Sequence, residues 1–259
     1  MIDSPFCAGK TWRPATIGHG LASSLCCGFV LLACPAWQAA AAPEGAGSKA
    51  PAALDVTSAD GSVPGQRPPA AAQGKPVSLF DGRTLAGWRV TDFGGQGEVD
   101  IEDGRIVLQY GEPLTGITWQ RPFPKNNYEV ALDAMRVDGI DFFCALTFPV
   151  GDEPCSLIVG GWAGSVVGLS SINGSDASEN ETTSYMQFKQ GRWYHIRVRV
   201  SGEKIEAWID RDKVVDVARA DRTFSVRLEV DASRPFGIAS FQTTAALRNI
   251  TLQRIKAKR

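Results

Sequence analysis

The sequence predicts an all-β fold, a β-sandwich of antiparallel strands, on three observations. Residues 193–200 alternate strictly, with Tyr194, Ile196, Val198 and Val200 on one side and Trp193, His195, Arg197 and Arg199 on the other. A period of two marks a strand with one buried face. After Ser201-Gly202-Glu203 the alternation resumes, with Ile205, Ala207 and Ile209 opposed to Lys204, Glu206, Trp208 and Asp210. The pair reads as a hairpin whose glycine is expected at positive φ. Similar segments recur at intervals of roughly ten residues, the spacing of a sandwich. The 27 glycines and 15 prolines, with no long run of helical period, agree.

The chain has 259 residues and a net charge of −1. That balance supplies no field for polyanions and excludes nucleic acid as the expected partner. Residues 1–42 read as a signal peptide. The apolar run 21–34 follows Lys10 and Arg13 and precedes Ala39 to Ala42, with cleavage expected after Ala41. The run is too short for a comfortable membrane span, which needs roughly 20 residues. An alternative is a lipoprotein signal: Leu31-Leu32-Ala33-Cys34 resembles a lipobox, which makes Cys34 the lipidation candidate and a lipid anchor the route to a membrane. Either way the protein is expected to be exported, to the periplasm, the cell surface or the medium. Residues 43–75 are Ala, Pro, Gly and Ser with few large apolar side chains, a disordered linker. Residues 76–259 form the folded domain, long enough for one well-filled core.

That domain opens on residues 79–88, with a turn at Asp81-Gly82 and Trp88 closing one end of the core. Asp103-Gly104 is a hairpin signal between strands in 101–110. Residues 117–120 and 128–137 are strands, the second cleanly alternating. Residues 141–148 and 156–159 are apolar throughout, as central strands covered on both faces are. Further strands are expected at 225–230, 236–241 and 247–255.

The opening Leu79-Phe80-Asp81-Gly82-Arg83-Thr84-Leu85-Ala86-Gly87-Trp88, the strand Trp193-Tyr194-His195-Ile196-Arg197-Val198, Trp208-Ile209-Asp210 with Val214-Val215-Asp216, and Gly237-Ile238-Ala239 with Leu247-Arg248-Asn249-Ile250 together resemble the DUF1080 family. This is the 3-keto-disaccharide hydrolase domain, and the resemblance covers about residues 77 to 255. It implies the concanavalin A-like lectin/glucanase jelly roll. It also implies a hydrolase or lyase for 3-keto-glycosides, in which a general base removes the acidified hydrogen next to the keto group. The family's stretch resembling Asn-Ser-Gly-Ile-Phe-Phe-Arg is replaced here by residues 139–148, so no catalytic residue carries over from it. That departure supports an alternative, a non-catalytic carbohydrate-binding or cell-surface interaction module.

The acid and base candidates are Asp141, which precedes an apolar strand, Glu181 in a polar loop, and His195. Each has a plainer alternative as a turn cap, a loop acid and a sheet-surface histidine. Candidate sugar contacts are Trp162 within a glycine-rich corner, Asn173, Asp176 and Asn180 in the long loop after it, and Trp193, Arg197 and Trp208 on the outward face of the hairpin. Glu129 and Asp133 share a strand face but do not make the three-carboxylate row of many glucanases of this fold. No spacing identifies a cofactor or metal site, although a divalent metal is compatible with the implied chemistry. Cys144 and Cys155, on successive strands of an exported domain, are either a disulfide or two buried thiols. Carbohydrate is the expected partner; the sequence leaves the oligomeric state open.

Overall fold

The computed structural model describes residues 74–257. The signal peptide, the Cys34 lipidation candidate and the linker up to residue 73 lie outside the described residues. The domain is a jelly-roll sandwich of two antiparallel sheets. The larger sheet runs in the order β13 (Asp212–Ala218), β12 (Lys204–Ile209), β11 (Trp193–Val200), β6 (Tyr128–Gly139), β15 (Thr243–Arg254), β4 (Arg105–Leu108) and β3 (Val99–Glu102), with β1 (Val77–Ser78) also paired to β15. The smaller runs β10 (Ser184–Tyr185), β9 (Val166–Ser170), β8 (Glu153–Gly161), β7 (Cys144–Val150), β14 (Gly237–Phe241), β5 (Leu114–Trp119) and β2 (Trp88–Val90). β15 lies between β6 and β4, and β14 between β7 and β5, so the C-terminal strands hold both sheets together.

The alternation read along residues 193–200 decides which face packs. Tyr194, Ile196, Val198 and Val200 enter the core between the sheets, where they meet Tyr128, Val130 and Leu132 of β6 and Leu146, Phe148 and Leu157 of the smaller sheet. Burying each such side chain contributes roughly 1.5–3 kcal/mol. The polar ends of the large aromatics are satisfied: Tyr128 Oη donates to Pro149 O across the sandwich at 2.6 Å, and Trp88 Nε1 to Leu79 O at 2.8 Å.

Three sequence expectations are corrected. Residues 225–230 are not a strand; the segment leads into a 3-10 helix, Leu228–Ser233, lying on β14 and β5. Val226, Leu228 and Val230 alternate with Ser225, Arg227 and Glu229, but Val230 is buried whereas Leu228 is 88% exposed. The pattern therefore reports packing over a sheet face, not membership of a sheet. The β11–β12 turn does not rely on glycine at positive φ; the Ser201 hydroxyl closes it by accepting from Glu203 N and Lys204 N at 3.2 and 3.0 Å. Finally, the disulfide candidate is corrected in favour of its alternative, two buried thiols: Cys144 and Cys155 are free and buried. The β7–β8 register places Cys144 opposite Val159 and Cys155 opposite Phe148, too far apart along the strands to bond.

Burial pushes both thiols up, Cys144 to about 12. Iodoacetamide at neutral pH should therefore leave both unmodified in the native protein and label both in denaturant, as read by peptide mass mapping. Labelling of either without unfolding would contradict the packing.

Candidate functional site

On the outer face of the smaller sheet, the side chains opposite the core are small or form separate apolar clusters. Ala145 and Ile158 pack with Val166 and Ala177, and Leu114 and Ala239 with Val230 and Phe241. Between these clusters opens a cleft of about 260 Å³ lined by Leu114, Asp141, Phe142, Ile158, Trp162, Ser170, Arg227, Glu229, Val230 and Phe241.

Trp162 sits at its mouth because of how the β8–β9 turn is built. Trp162 and Ala163 both take left-handed backbone, φ 48° and 61°, and Gly164 N and Ser165 N both donate to Gly161 O at 3.1 Å. Asp141 and Arg136 hold the turn from below. Asp141 Oδ2 accepts from Ala163 N at 3.1 Å, and its Oδ1 from Phe142 N at 2.7 Å. Arg136 Nη2 donates to the carbonyls of Asp141, Gly160 and Gly164 at 3.0, 3.2 and 3.1 Å. A Cβ on Gly160 would stand 2.6 Å from that nitrogen, and one on Gly164 2.6 Å from Ile140 O. The result is an indole 39% exposed on a rigid turn.

Arg227 forms the opposite wall. Its Nη1 donates to Asp176 Oδ2 at 2.7 Å and its Nη2 to Glu229 Oε1 at 2.8 Å, and its guanidinium lies 6.0 Å from the Trp162 ring. The Glu229 carboxyl is held below the usual range, chiefly by the hydrogen bond from Arg227. Burial works against ionisation of Asp176, but the Ser178 hydroxyl and amide together with Arg227 outweigh it and lower its pKa. At the floor, the buried Ser170 hydroxyl has no partner among the described residues. An apolar trough with an aromatic rim, an orphan hydroxyl and a fixed guanidinium has the groups that recognise a sugar's ring face and oxygens.

The residues nominated from sequence do not converge. Asp141 and Trp162 line the cleft, and Asp176 reaches it through Arg227. Asn180 is consumed in building the loop: its Nδ2 donates to Leu169, Ser175 and Asp176 carbonyls, and its Oδ1 accepts from Thr182 N and Oγ1. Asn173 Oδ1 accepts from Thr223 N at 2.9 Å, joining two loops. Glu181 is paired with Arg222 at 2.7 Å and is not among the cleft's lining residues.

His195 lies on the other sheet, on its outer face. Its Nδ1 is 2.8 Å from Asp133 Oδ1, and Asp133 Oδ2 also receives Asn249 Nδ2 at 2.7 Å and Arg248 Nε at 3.3 Å. Trp193 is stacked under Arg248 at 4.0 Å. Trp208 is only 7% exposed, beneath Arg197 at 4.1 Å. Arg197 and Arg199 pair with Glu129 at 3.6 and 2.7 Å. These two tryptophans already have cations on their faces, so a pyranose would have to displace an arginine.

Sequence reasoning missed Ser170, Arg227, Glu229 and Arg136. Arg227 and Glu229 were masked by the strand pattern of 225–230. Arg136 left a signal, because it continues the inward series Tyr128, Val130, Leu132, Ala134. Among the described residues, no group of three or more His, Cys, Asp or Glu side chains is arranged to hold a metal ion.

The model of the 3-keto-alpha-glucoside-1,2-lyase-like domain matches residues 75–253. Solved structures of similar fold include a carbohydrate-binding module from Bacillus subtilis, at 16% identity and a TM-score of 0.41, over 64% of this chain and 95% of that one. Domain 4 of an extracellular arabinanase from Geobacillus stearothermophilus, in complex with arabinotriose, matches at 15% identity and 0.43, over 66% and 84%. A carbohydrate esterase from the Shiga toxin-encoding bacteriophage phi24B matches at 13% and 0.46, over 70% and 100%. A search of curated proteins finds no match.

Gly164→Ala should destabilise the domain by about 1–3 kcal/mol in urea denaturation, because φ is 105° there and the added methyl meets Ile140 O. Unchanged stability would mean that the turn is looser than its geometry.

Proposed function

The chain belongs to the family of the 3-keto-alpha-glucoside-1,2-lyase-like domain, and on that premise we propose that the Trp162–Arg227 cleft takes up a 3-keto-glycoside and eliminates across its glycosidic bond. The reading is carried by one coincidence: an exposed indole, a buried hydroxyl without a partner among the described residues and an arginine–carboxylate pair line the same cleft. Trp162 covers the apolar face of the ring, and Ser170 takes a sugar oxygen at the floor.

The carbonyl at the third sugar carbon acidifies the hydrogen on the second. Glu229 removes that proton, and the C–H pair becomes a double bond between the first and second carbons. The bond from the first carbon to the glycosidic oxygen breaks, and that oxygen leaves with its electron pair and is protonated by water. Arg227 stabilises the charge that gathers on the keto oxygen. Protonation of Glu229 weakens its hold on Arg227 at the moment the sugar needs the guanidinium. Water adding back across the double bond completes a net hydrolysis. The apolar run at 21–34 supports an exported location for this activity, in the periplasm, at the cell surface or outside the cell.

A second reading, a non-catalytic carbohydrate-binding module, draws on a specific observation. The cleft's acids are already engaged: Asp141 by two backbone N–H groups, Glu229 and Asp176 by Arg227. This is how a preformed binding surface is built.

Proton NMR of a 3-keto-glucoside in heavy water separates the two. The enzyme reading expects loss of the signal at the second carbon, abolished by Glu229→Gln; ligand line-broadening without exchange leaves the module. Because Arg227 lowers the Glu229 pKa below its ordinary 4.5, the basic form persists into acid. The exchange rate should stay level from neutrality to below pH 4.5 and fall only as Glu229 protonates. Trp162→Ala should weaken saccharide binding about tenfold by calorimetry, with the melting temperature unchanged.

A further inference from the structure

Arg136 holds a positive charge where the sandwich opens at the end of β6. It continues the core-facing series of that strand, is 6% exposed, and lies 5.3 Å from the ring of Phe143. No carboxylate pairs with it among the described residues. The nearby Asp141 offers Arg136 only its backbone oxygen, while its carboxylate is turned to Phe142 N and Ala163 N. Of the guanidinium's nitrogens, Nη2 alone donates, to three carbonyls, and the buried Nε has no partner. Nη1 likewise makes no hydrogen bond to the described residues. Burial opposes the charge and lowers the guanidinium's pKa, yet an arginine stays protonated in any folded protein.

This residue lines a second cleft of about 350 Å³, with Gly139, Ile140, Ala163, Gly164, Ser165, Gln187, Phe188 and Gln190 as its other walls. Gln190 Nε2 is engaged with Gly139 O at 3.2 Å, whereas the exposed Gln187 amide has no partner among the described residues. Two segments contribute to both clefts: Asp141, Phe142 and Trp162 line the first, and Ile140, Ala163 and Gly164 the second. The Asp141 charge supports the guanidinium only through space, so Nε and Nη1 remain without hydrogen-bond partners among the described residues, and an anionic ligand group can supply the direct pairing that this buried cation lacks.

We propose that the Arg136 cleft is a subsite for the carboxylate of an acidic saccharide, a uronate, placed beside the ring that Trp162 covers. Arg136 Nη1 and the Gln187 amide donate to the carboxylate, and Phe188 flanks the sugar. The inference rests on the reading of the Trp162 cleft as a saccharide site and narrows its substrate class to acidic glycans.

The test is binding of glucuronate, its methyl ester and glucose to the full chain, by calorimetry and ligand-observed NMR. Glucuronate should bind at least about tenfold more tightly than the ester, which keeps the size and loses the charge. Added salt should narrow the difference. Gln187→Glu should erase the preference by repelling the carboxylate, with the melting temperature unchanged, so the result stands even where Arg136→Met fails to fold. Equal affinity for acid and ester, a preference that survives Gln187→Glu, or no binding of any of the three overturns the proposal. Glucose binding lost in Trp162→Ala without any preference for the acid overturns it too, while leaving the first cleft a saccharide site. An acid preference indifferent to Trp162→Ala sustains the subsite and counts against that cleft.

Discussion

One guanidinium ties the two sheets together beside the candidate cleft. Arg136 belongs to β6 of the larger sheet, and its Nη2 donates to the carbonyls of Asp141, Gly160 and Gly164, all at the end of the smaller sheet. Those carbonyls belong to the segment leading into β7, to the end of β8 and to the turn after it. The clamp requires glycine at 160 and 164, since a side chain at 160 would collide with Arg136 itself. With the clamp made, Asp141 can cap Ala163 N, and Trp162 is held out over the neighbouring cleft. The position of the exposed indole thus follows from a charge placed at a core-facing position of a strand.

The two outer faces of the sandwich divide their labour by side-chain size and charge. On the larger sheet, long charged side chains cover the aromatics: Arg197 lies over Trp208 and Arg248 over Trp193, and carboxylates at 129 and 133 hold the cations in place. On the smaller sheet no such charged cover exists among the described strand residues: small side chains such as Ala145 and Ala239 alternate with apolar ones such as Leu114 and Ile158, and the loop carrying Leu228–Ser233 packs over part of that face. Small side chains under a loop that does not fill the face leave a trough, and Arg227 and Glu229 come to its wall from that loop. Membership of the 3-keto-alpha-glucoside-1,2-lyase-like family is consistent with a carbohydrate-handling role for such a trough.

Local pattern made the sandwich legible. The alternation at 193–200 and 128–134, and the Asp103-Gly104 turn with φ of 46° and 76°, depend only on residues a few positions apart, and each has the structure its sequence implies. The segment 225–230 shows where that logic stops. Its alternation is real, but an apolar residue every second position serves a strand or a loop laid over a sheet face equally well. Which it is depends on whether a sheet edge is free to receive it. The cysteines make the same point in reverse: both were legible as partners on neighbouring strands, and the register alone decides that they cannot meet.

The sequence by itself determined the fold class, the inward faces of the main strands and the presence of acids, tryptophans and arginines in quantity. It also marked Asp141 and Trp162, because an acid before an apolar strand and a tryptophan among glycines are anomalies within a short window. The tertiary structure decided which of these groups share a cleft. Asp176 and Arg227 are 51 positions apart and bonded, whereas His195 stands on the outer face of the larger sheet and Asp141, nominated for the same chemistry, in the segment leading into β7 of the smaller one. The physical reason is that a site in a jelly roll is assembled from loops whose positions are fixed by sheet order, and sheet order is set by the burial of whole faces between strands distant in sequence. No local period encodes that. The inward series of β6 marks Arg136 in the sequence, but the cleft it faces became visible only when both sheets were in place around it.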